Sequence, residues 1–336
     1  MKAGVCALDS SAWGAKDVGA FLLWGYRPDE VTVEVKGSFY TPVRHVYDSR
    51  LRTEEVVCNL CGHAQHTEIG KESGFSIRKC GQCGLVYVNP QPVSEDLPKF
   101  YEGFYEGINP HEAAEARSAG YTERHVSRTA LRLKPAGGRL LDVGCGYGRL
   151  LKAMQDYPGW ELHGFDLNAA AVRYAREEVP GAAIETHTVE QACYPDNSFD
   201  CIVMIGVLEH LKDPRATLRR VRQWLAPGGV VLFQVPYVTP FIRMKHWLPF
   251  LPVNFEAPRH LFDFSPSVLR RLCESAGFRD PQVEISRPYT SNSRLGMMLI
   301  WMVKAPGLLL DRLGGGWTYP FACAWLTYAS KPAHRD

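Results

Sequence analysis

The sequence predicts an α/β fold: a mostly parallel sheet with helices on both faces, preceded by a small cysteine ribbon. Three observations predict it. Short apolar runs, among them 140–143, 201–205 and 230–235, alternate with segments of helical pattern, which is how the strands and crossover helices of a parallel sheet read. Cys58-x2-Cys61 and Cys80-x2-Cys83 stand 18 residues apart, and each pair is followed by a glycine. Two such knuckles turn four thiolates toward one point, the ligand set of a tetrahedral structural zinc. With 336 residues and 46% apolar side chains, the chain can bury a full core.

In chain order, residues 1–55 form an amino-terminal extension without a recognisable motif, in which 31–35 alternates like a strand. Residues 56–90 make the zinc ribbon, whose last strand, 84–88, runs into Asn89-Pro90-Gln91-Pro92, a stiff turn. Residues 91–135 read as a helical linker or lid: Ser94 stands as a cap, Tyr101, Phe104 and Tyr105 form an aromatic cluster, and 121–133 leads into Pro135-Ala136-Gly137-Gly138. Residues 136–336 alternate strand and helix, with helices expected at 149–157, 168–178, 214–225 and 265–278. In the last of these Ser265 is the cap, Pro266 the first helical residue and Gly277 the stop. Two further strands are expected at 282–286 and 321–330.

The turn after the first of the sheet strands carries the chemistry. Asp142-Val143-Gly144-Cys145-Gly146-Tyr147-Gly148 sets glycines at alternate positions, so the backbone can lie against a ligand with no Cβ between them. The next strand ends in Asp166, 24 residues after Asp142, where an acid suits the two hydroxyls of a ribose. A dinucleotide fingerprint wants glycine where Arg149 stands. The form Asp-x-Gly-x-Gly-x-Gly instead resembles motif I of class I S-adenosylmethionine-dependent methyltransferases. Further motifs follow in order: Thr188-Val189-Glu190, then Pro195-Asp196-Asn197-Ser198-Phe199-Asp200, then Val207-Leu208-Glu209-His210-Leu211-Lys212-Asp213-Pro214 opening the next helix, then Leu225-Ala226-Pro227-Gly228-Gly229. The resemblance covers residues 120–330. With the ribbon and aromatic segment ahead of it, the layout resembles bacterial methyltransferases of secondary metabolism and surface-polysaccharide pathways. It implies a Rossmann-like seven-stranded methyltransferase sheet whose last strand inserts antiparallel, and S-adenosyl-L-methionine as cofactor.

Ligands of such sheets bind at the carboxyl ends of the strands. The resemblance then implies cofactor contacts at Asp142, Gly144, Gly146 and Gly148, and at Asp166 and Leu167. It implies further ones at Thr188, Val189 and Glu190 around the adenine, and at Ile205 toward the sulfonium. Cys58, Cys61, Cys80 and Cys83 are the metal ligands. Transfer to a hydroxyl or carbon acid needs a base. His210 and His260 are the candidates, each weighed against a hydrogen-bonded structural histidine. Tyr237 and Tyr105 are expected to line the acceptor pocket.

A net charge of +2 supplies no basic field, which disfavours nucleic acid as partner. The amino terminus reads as a poor secretion signal, so reduced thiols in a cytoplasm are expected. Two apolar insertions, near 236–258 and 295–313, fall short of the roughly 20 apolar residues that span a bilayer. They read as a packed lid, as a surface for a membrane or a lipid-linked substrate, or as a face for homo-oligomers. The expected function is methyl transfer to oxygen or carbon of a small-molecule acceptor (sugar, polyketide-like or lipid-linked) with histidine-assisted deprotonation. The alternatives are a nucleic-acid methyltransferase with the ribbon as reader, and a catalytically silent scaffold.

Overall fold

Residues of the central strands alternate between two cores. Leu141, Val143, Ile202, Met204, Val231 and Phe233 pack in one apolar cluster, while Leu140, Cys201, Val203, Val230 and Leu232 pack in the other. Side chains of period two that are apolar on both faces require cover on both sides of the sheet. The computed structural model describes residues 51–97, 101, 121–244, 254–286 and 324–333. The chain divides into two units, Met1–Val46 and Tyr47–Asp336, and every described residue lies in the second. The strand expected at 31–35, Tyr105 and the insertion at 295–313 lie outside the described residues.

First come β1 (Thr53–Glu54), β2 (His66–Glu72), β3 (Phe75–Cys80), β4 (Val86–Val88) and β5 (Gln91–Pro92). Then α1 (Tyr121–Leu133) leads into β6 (Gly138–Val143), α2 (Arg149–Met154), β7 (Trp160–Asp166), α3 (Ala169–Glu178), β8 (Ala183–Thr186) and β9 (Phe199–Ile205). A 3-10 turn, Leu208–His210, precedes α4 (Pro214–Trp224). The described elements end with β10 (Leu225–Pro236), α5 (Thr239–Met244), β11 (Phe262–Asp263), α6 (Pro266–Ser275), β12 (Arg279–Ile285) and β13 (Ala324–Ser330).

Among the described residues the larger sheet has seven strands, in the order β12-β13-β10-β9-β6-β7-β8. Strands β6 to β10 pair in parallel, and β13 inserts antiparallel between β10 and β12. This is the topology that the resemblance implies. No helix among the described residues is long and apolar enough to cross a membrane.

Local differences have local causes. The run 207–214, expected to open a helix, forms the 3-10 turn Leu208–His210, and the helix expected at 214–225 starts at Pro214, where Asp213 accepts from Ala216 N at 2.8 Å and proline's fixed φ suits the first turn. Ser265 occupies the cap position of α6, but its hydroxyl meets that of Ser267 at 3.2 Å and makes no cap bond. The turn expected at 89–92 ends in β5, which pairs with β1.

The ribbon is built into the larger fold rather than appended to it. A second sheet runs β11-β4-β3-β2. Its fourth strand comes from beyond β10: Phe262 pairs with Tyr87 and Asp263 with Val86. Cys58, Cys80, Cys83, Leu85 and Tyr87 share one apolar cluster with Ile202, Met204 and Phe264. Asn59 Nδ2 donates to Lys212 O at 2.7 Å, which ties a cysteine knuckle to the start of α4.

Asp263, buried in β11, accepts from Val238 N at 2.8 Å, from Thr239 N at 3.0 Å and from the Thr239 hydroxyl. It thereby caps α5. These bonds favour the carboxylate, but burial outweighs them and raises the acid to about 6. A raised acid favours the protonated fold, so its contribution is fully present below about pH 4 and lost as pH rises through about 6. In denaturant titrations, the stability of wild type relative to Asp263→Asn is expected to fall by about 3 kcal/mol across that window and stay level above it.

Candidate functional site

Strand β6 ends in the glycine turn. Gly144, Gly146 and Gly148 have φ of 70°, 50° and 72°, backbone that a side chain would strain. A Cβ on Gly144 would meet Val207 Cγ2 at 2.5 Å and one on Gly148 would meet Ala175 Cβ at 2.9 Å, whereas one on Gly146 would meet nothing within 4 Å. Gly144 therefore packs the turn on Val207, two residues past the end of β9, Gly148 packs it on α3, and Gly146 faces open space. The N–H groups of Gly144 and Cys145 donate to Phe165 O at 2.8 and 3.0 Å, which stitches the turn to β7.

Asp166 closes that stitch. Its Oδ2 accepts from Gly146 N at 2.9 Å and its Oδ1 from Asn168 N at 2.8 Å. A carboxylate offers about four acceptor positions, and these two bonds set its orientation over the turn. Asn168, not Asp166, caps α3, accepting from Ala170 N and Ala171 N. Leu167 leaves 38% of its surface exposed beside the acid, an apolar face at the sheet edge where a flat ring can lie. Asp142 is buried, and burial, followed by the charges of Asp166 and Glu123, holds its carboxyl well above the usual range. Arg149, at the start of α2, pairs with Glu123 of α1 at 3.1 Å.

Beyond β8, Thr188 N donates to Gln191 Oε1 at 3.0 Å and Gln191 N reaches Thr188 Oγ1 at 3.4 Å, a reciprocal cap on a short turn. Val189 packs in the core, Glu190 is exposed, and Ile205 is half-buried at the end of β9. The carboxyl ends of neighbouring strands thus bring together the glycine turn, Asp166, Leu167 and Ile205.

His210 and His260 lie 50 residues apart in sequence, yet their ring centroids are 4.8 Å apart at an interplanar angle of 51°. His210 Nδ1 lies 2.8 Å from Arg259 O, and His260 Nδ1 lies 3.0 Å from Phe255 O. A carbonyl only accepts, so each Nδ1 carries the proton and Nε2 is the lone-pair nitrogen. The Tyr101 hydroxyl donates to Arg259 O at 3.1 Å, and its ring meets that of His210 edge-on at 5.8 Å. Burial, and then the neighbouring His210, hold His260 well below the usual imidazole value. Val207, seated on Gly144, opens the turn that carries His210, so the pair adjoins the glycine turn. Tyr237, half-buried after β10, packs at 5.6 Å on Trp325, and burial pushes its hydroxyl up to about 12.

One residue of this region has no signal in the sequence. Glu72, the last residue of β2, accepts from the backbone N–H of Phe255 at 2.8 Å, of Glu256 at 2.6 Å and of Ala257 at 3.1 Å. It fixes the loop that delivers His260, which a Glu256–Arg259 ion pair braces further. The partners are 183 to 185 residues apart, beyond the reach of any local pattern.

The cysteine knuckles close on each other. Cys58 Sγ lies 3.3 Å from Cys83 Sγ, Cys61 Sγ lies 3.6 Å from Cys80 Sγ, and all four sulfurs lie within 4.8 Å of one another. Sulfurs about 3.8 Å apart are what a tetrahedral ion with metal–sulfur bonds of about 2.3 Å needs. Gly62 and Gly84, at φ of 73° and 79°, supply the left-handed residue that each knuckle requires.

A family model described as a methyltransferase domain matches residues 114–283, which include the glycine turn and both histidines but not the ribbon. A ubiquinone biosynthesis O-methyltransferase of Xanthomonas axonopodis pv. citri (strain 306) is 30% identical over 178 residues, covering 49% of this chain and 73% of the relative. The corresponding Azoarcus sp. (strain BH72) protein is 30% identical over 157 residues, 42% of this chain; the chain spans 64% of that relative's length. Among solved structures, Haemonchus contortus phosphoethanolamine N-methyltransferase 2 in complex with S-adenosyl-L-methionine is similar in fold. Its TM-score is 0.51 at 20% identity, with 74% of this chain and 63% of that chain covered.

Removing the Glu72 carboxylate should release the loop without touching the glycine turn. In Glu72→Ala, the amides of Phe255, Glu256 and Ala257 are expected to lose their hydrogen-exchange protection, while those of Gly144 and Cys145 keep wild-type rates.

Proposed function

The chain belongs to the S-adenosylmethionine-dependent methyltransferase family, and we propose that it transfers the methyl group to a hydroxyl oxygen of a small-molecule acceptor. The observation that carries this reading is adjacency. Val207 seats on Gly144 and opens the turn that brings His210 against His260, so the cofactor turn and two lone-pair nitrogens share one edge of the sheet. When bound, the cofactor supplies a methyl group on a sulfonium leaving group. Asp166 suits its ribose hydroxyls, Leu167 and residues 188–190 its adenine, and the open backbone at Gly146 its approach to the turn. Gly206, at φ of 66° after Ile205, suits the sulfonium end.

The protein's task is alignment, exclusion of water and removal of a proton. The oxygen–carbon bond forms as the carbon–sulfur bond breaks, and the bonding pair leaves on sulfur. The hydroxyl proton is lost to solvent with the histidine pair assisting its removal. Oxygen is favoured over carbon by relatives named as O-methyltransferases. The acceptor classes are a sugar, a polyketide-like metabolite or a lipid-linked metabolite, with Tyr237 along the pocket wall. A structural zinc on Cys58, Cys61, Cys80 and Cys83 belongs to the same reading, because four thiolates leave no open position for chemistry.

Transfer of radiolabelled methyl from S-adenosylmethionine into host extract tests this function. Label in an O-methylated small molecule is expected; a chain that binds S-adenosylhomocysteine yet labels nothing is a silent scaffold. Asp166→Ala is expected to weaken S-adenosylhomocysteine by about 10–100-fold, the loss of hydrogen bonds to a charged acceptor. His260→Ala is expected to lower kcat by about 10²–10⁴-fold at near wild-type cofactor affinity.

Metal analysis should find stoichiometric zinc in the ribbon. Stripping it should lower kcat more than cofactor affinity, because β4 supports β11 and the loop ahead of it, while the glycine turn rests on β7 and β9.

A further inference from the structure

Glu209, His210 and His260 together are more than a proton transfer needs. One base takes one hydroxyl proton, yet a carboxylate oxygen of Glu209 and one ring nitrogen from each histidine lie within 4.8 Å of one another. The donor set has its own chemistry. Two imidazoles and a carboxylate bind first-row divalent ions and leave coordination positions open, unlike the closed thiolate set of the ribbon. The orientation of the rings fits as well. Each Nδ1 donates to a backbone carbonyl, Arg259 O for His210 and Phe255 O for His260. That outer hydrogen bond fixes the tautomer of a ligating histidine and makes Nε2 the ligand.

The three side chains stand on braced backbone. Leu208, fully buried, anchors the turn that carries Glu209 and His210. Leu261 N donates to Glu209 O at 2.8 Å and joins that turn to the His260 segment. Glu72 holds the other end of the same segment through three N–H groups. Glu209 is itself buried, and a buried carboxylate is stabilised by a cation beside it.

We propose that Glu209, His210 and His260 hold a divalent cation at the acceptor end of the cofactor cleft, and that oxygens of the acceptor complete its coordination. The chemistry assigned to the ion, though not the site, rests on the oxygen-directed reading above. A bound cation lowers the pKa of a coordinated hydroxyl as it does that of bound water. The proton then leaves to solvent before the oxygen–carbon bond forms, and the histidines assist deprotonation as ligands rather than as bases. Open positions on one ion favour an acceptor that presents two adjacent oxygens.

The test uses the full chain with zinc already in the ribbon, and Co2+ as the probe, because thiolate and nitrogen–oxygen coordination give cobalt different spectra. One Co2+ per chain beyond the ribbon zinc is expected, with visible absorption and no thiolate charge-transfer band. His210→Ala, His260→Ala and the isosteric Glu209→Gln are each expected to weaken it by more than tenfold, since losing even an outer-shell partner costs about 10–100-fold. Binding of S-adenosylhomocysteine reports separately on the fold and on the methyltransferase reading. A wild type that binds S-adenosylhomocysteine but takes up no second metal overturns the cation site and leaves that reading standing. Uptake with equal affinity in all three variants also overturns it. Uptake that depends on these residues in a protein unable to bind S-adenosylhomocysteine keeps the site and sinks the methyl-transfer reading.

Discussion

A loop that folds back on itself has backbone N–H groups that no strand can take, and buried N–H groups must be satisfied. Glu72 takes three of them, at Phe255, Glu256 and Ala257. Much else hangs on that carboxylate. The loop it fixes presents Phe255 O to His260, Arg259 O to His210 and Tyr101, and Leu261 N to Glu209. It then delivers β11 to the edge of β4. The packing agrees: Phe255 and Ala257 share an apolar cluster with Phe75, Ile77, Val86 and Val88 on one face of the ribbon sheet. The other face, with the cysteines, merges into the core of the larger sheet. A change in the ribbon is therefore felt at the histidines through two routes, one polar and one apolar.

The cofactor side obeys a different constraint, one of charge. Asp142, Asp166 and Glu123 lie close enough that the last two raise the buried Asp142 further. Arg149 meets Glu123, and the turn's N–H groups meet Asp166 and the carbonyl of Phe165. Arg149 offsets Glu123 and burial favours the uncharged form of Asp142, so Asp166 is the acid that the dipoles of the turn orient. The same arrangement explains why Arg149 can stand where a dinucleotide site places glycine: its side chain turns away to α1 and leaves the open face of the turn to Gly146.

Features with a local cause were legible in the sequence. Alternation of apolar runs with helices yields the parallel strands, the spaced glycines yield the turn, and two Cys-x2-Cys pairs yield the knuckles. Asp166 was legible as a strand-end acid, although its bond to Gly146 N was not. What escaped has long-range causes. β11 is two residues long and exists because β4 offers it an edge, so no propensity could mark it. Glu72 reads as one more exposed acid of a strand until the loop nearly two hundred residues later is laid on it. Each histidine, taken singly, reads as a base or as a structural residue. Their pairing depends on a turn after β9 and a loop after β10 that meet only in three dimensions. Ser265 is the opposite case, a sound local signal for a helix start whose hydroxyl takes another partner.

The ribbon's position bears on what it does. A reader of nucleic acid needs an exposed basic face, and the chain's net charge is only +2. Its two sheet edges are β2 and β11; the second is contributed by the chain beyond β10, and the first ends in the carboxylate that holds the histidine loop. One knuckle is spent on Lys212 and, through Arg215 and Leu60 O at 3.4 Å, on α4. A metal ion on the four cysteines would stiffen the ribbon by fixing its sulfurs to one another. Rigidity of that kind suits a brace. Side chains carried on loops hold a precise geometry only when something stiff stands behind them, and here the loop that carries His260 follows β10, outside the hydrogen bonding of the main sheet. The ribbon supplies to that loop what the seven-stranded sheet supplies to the glycine turn.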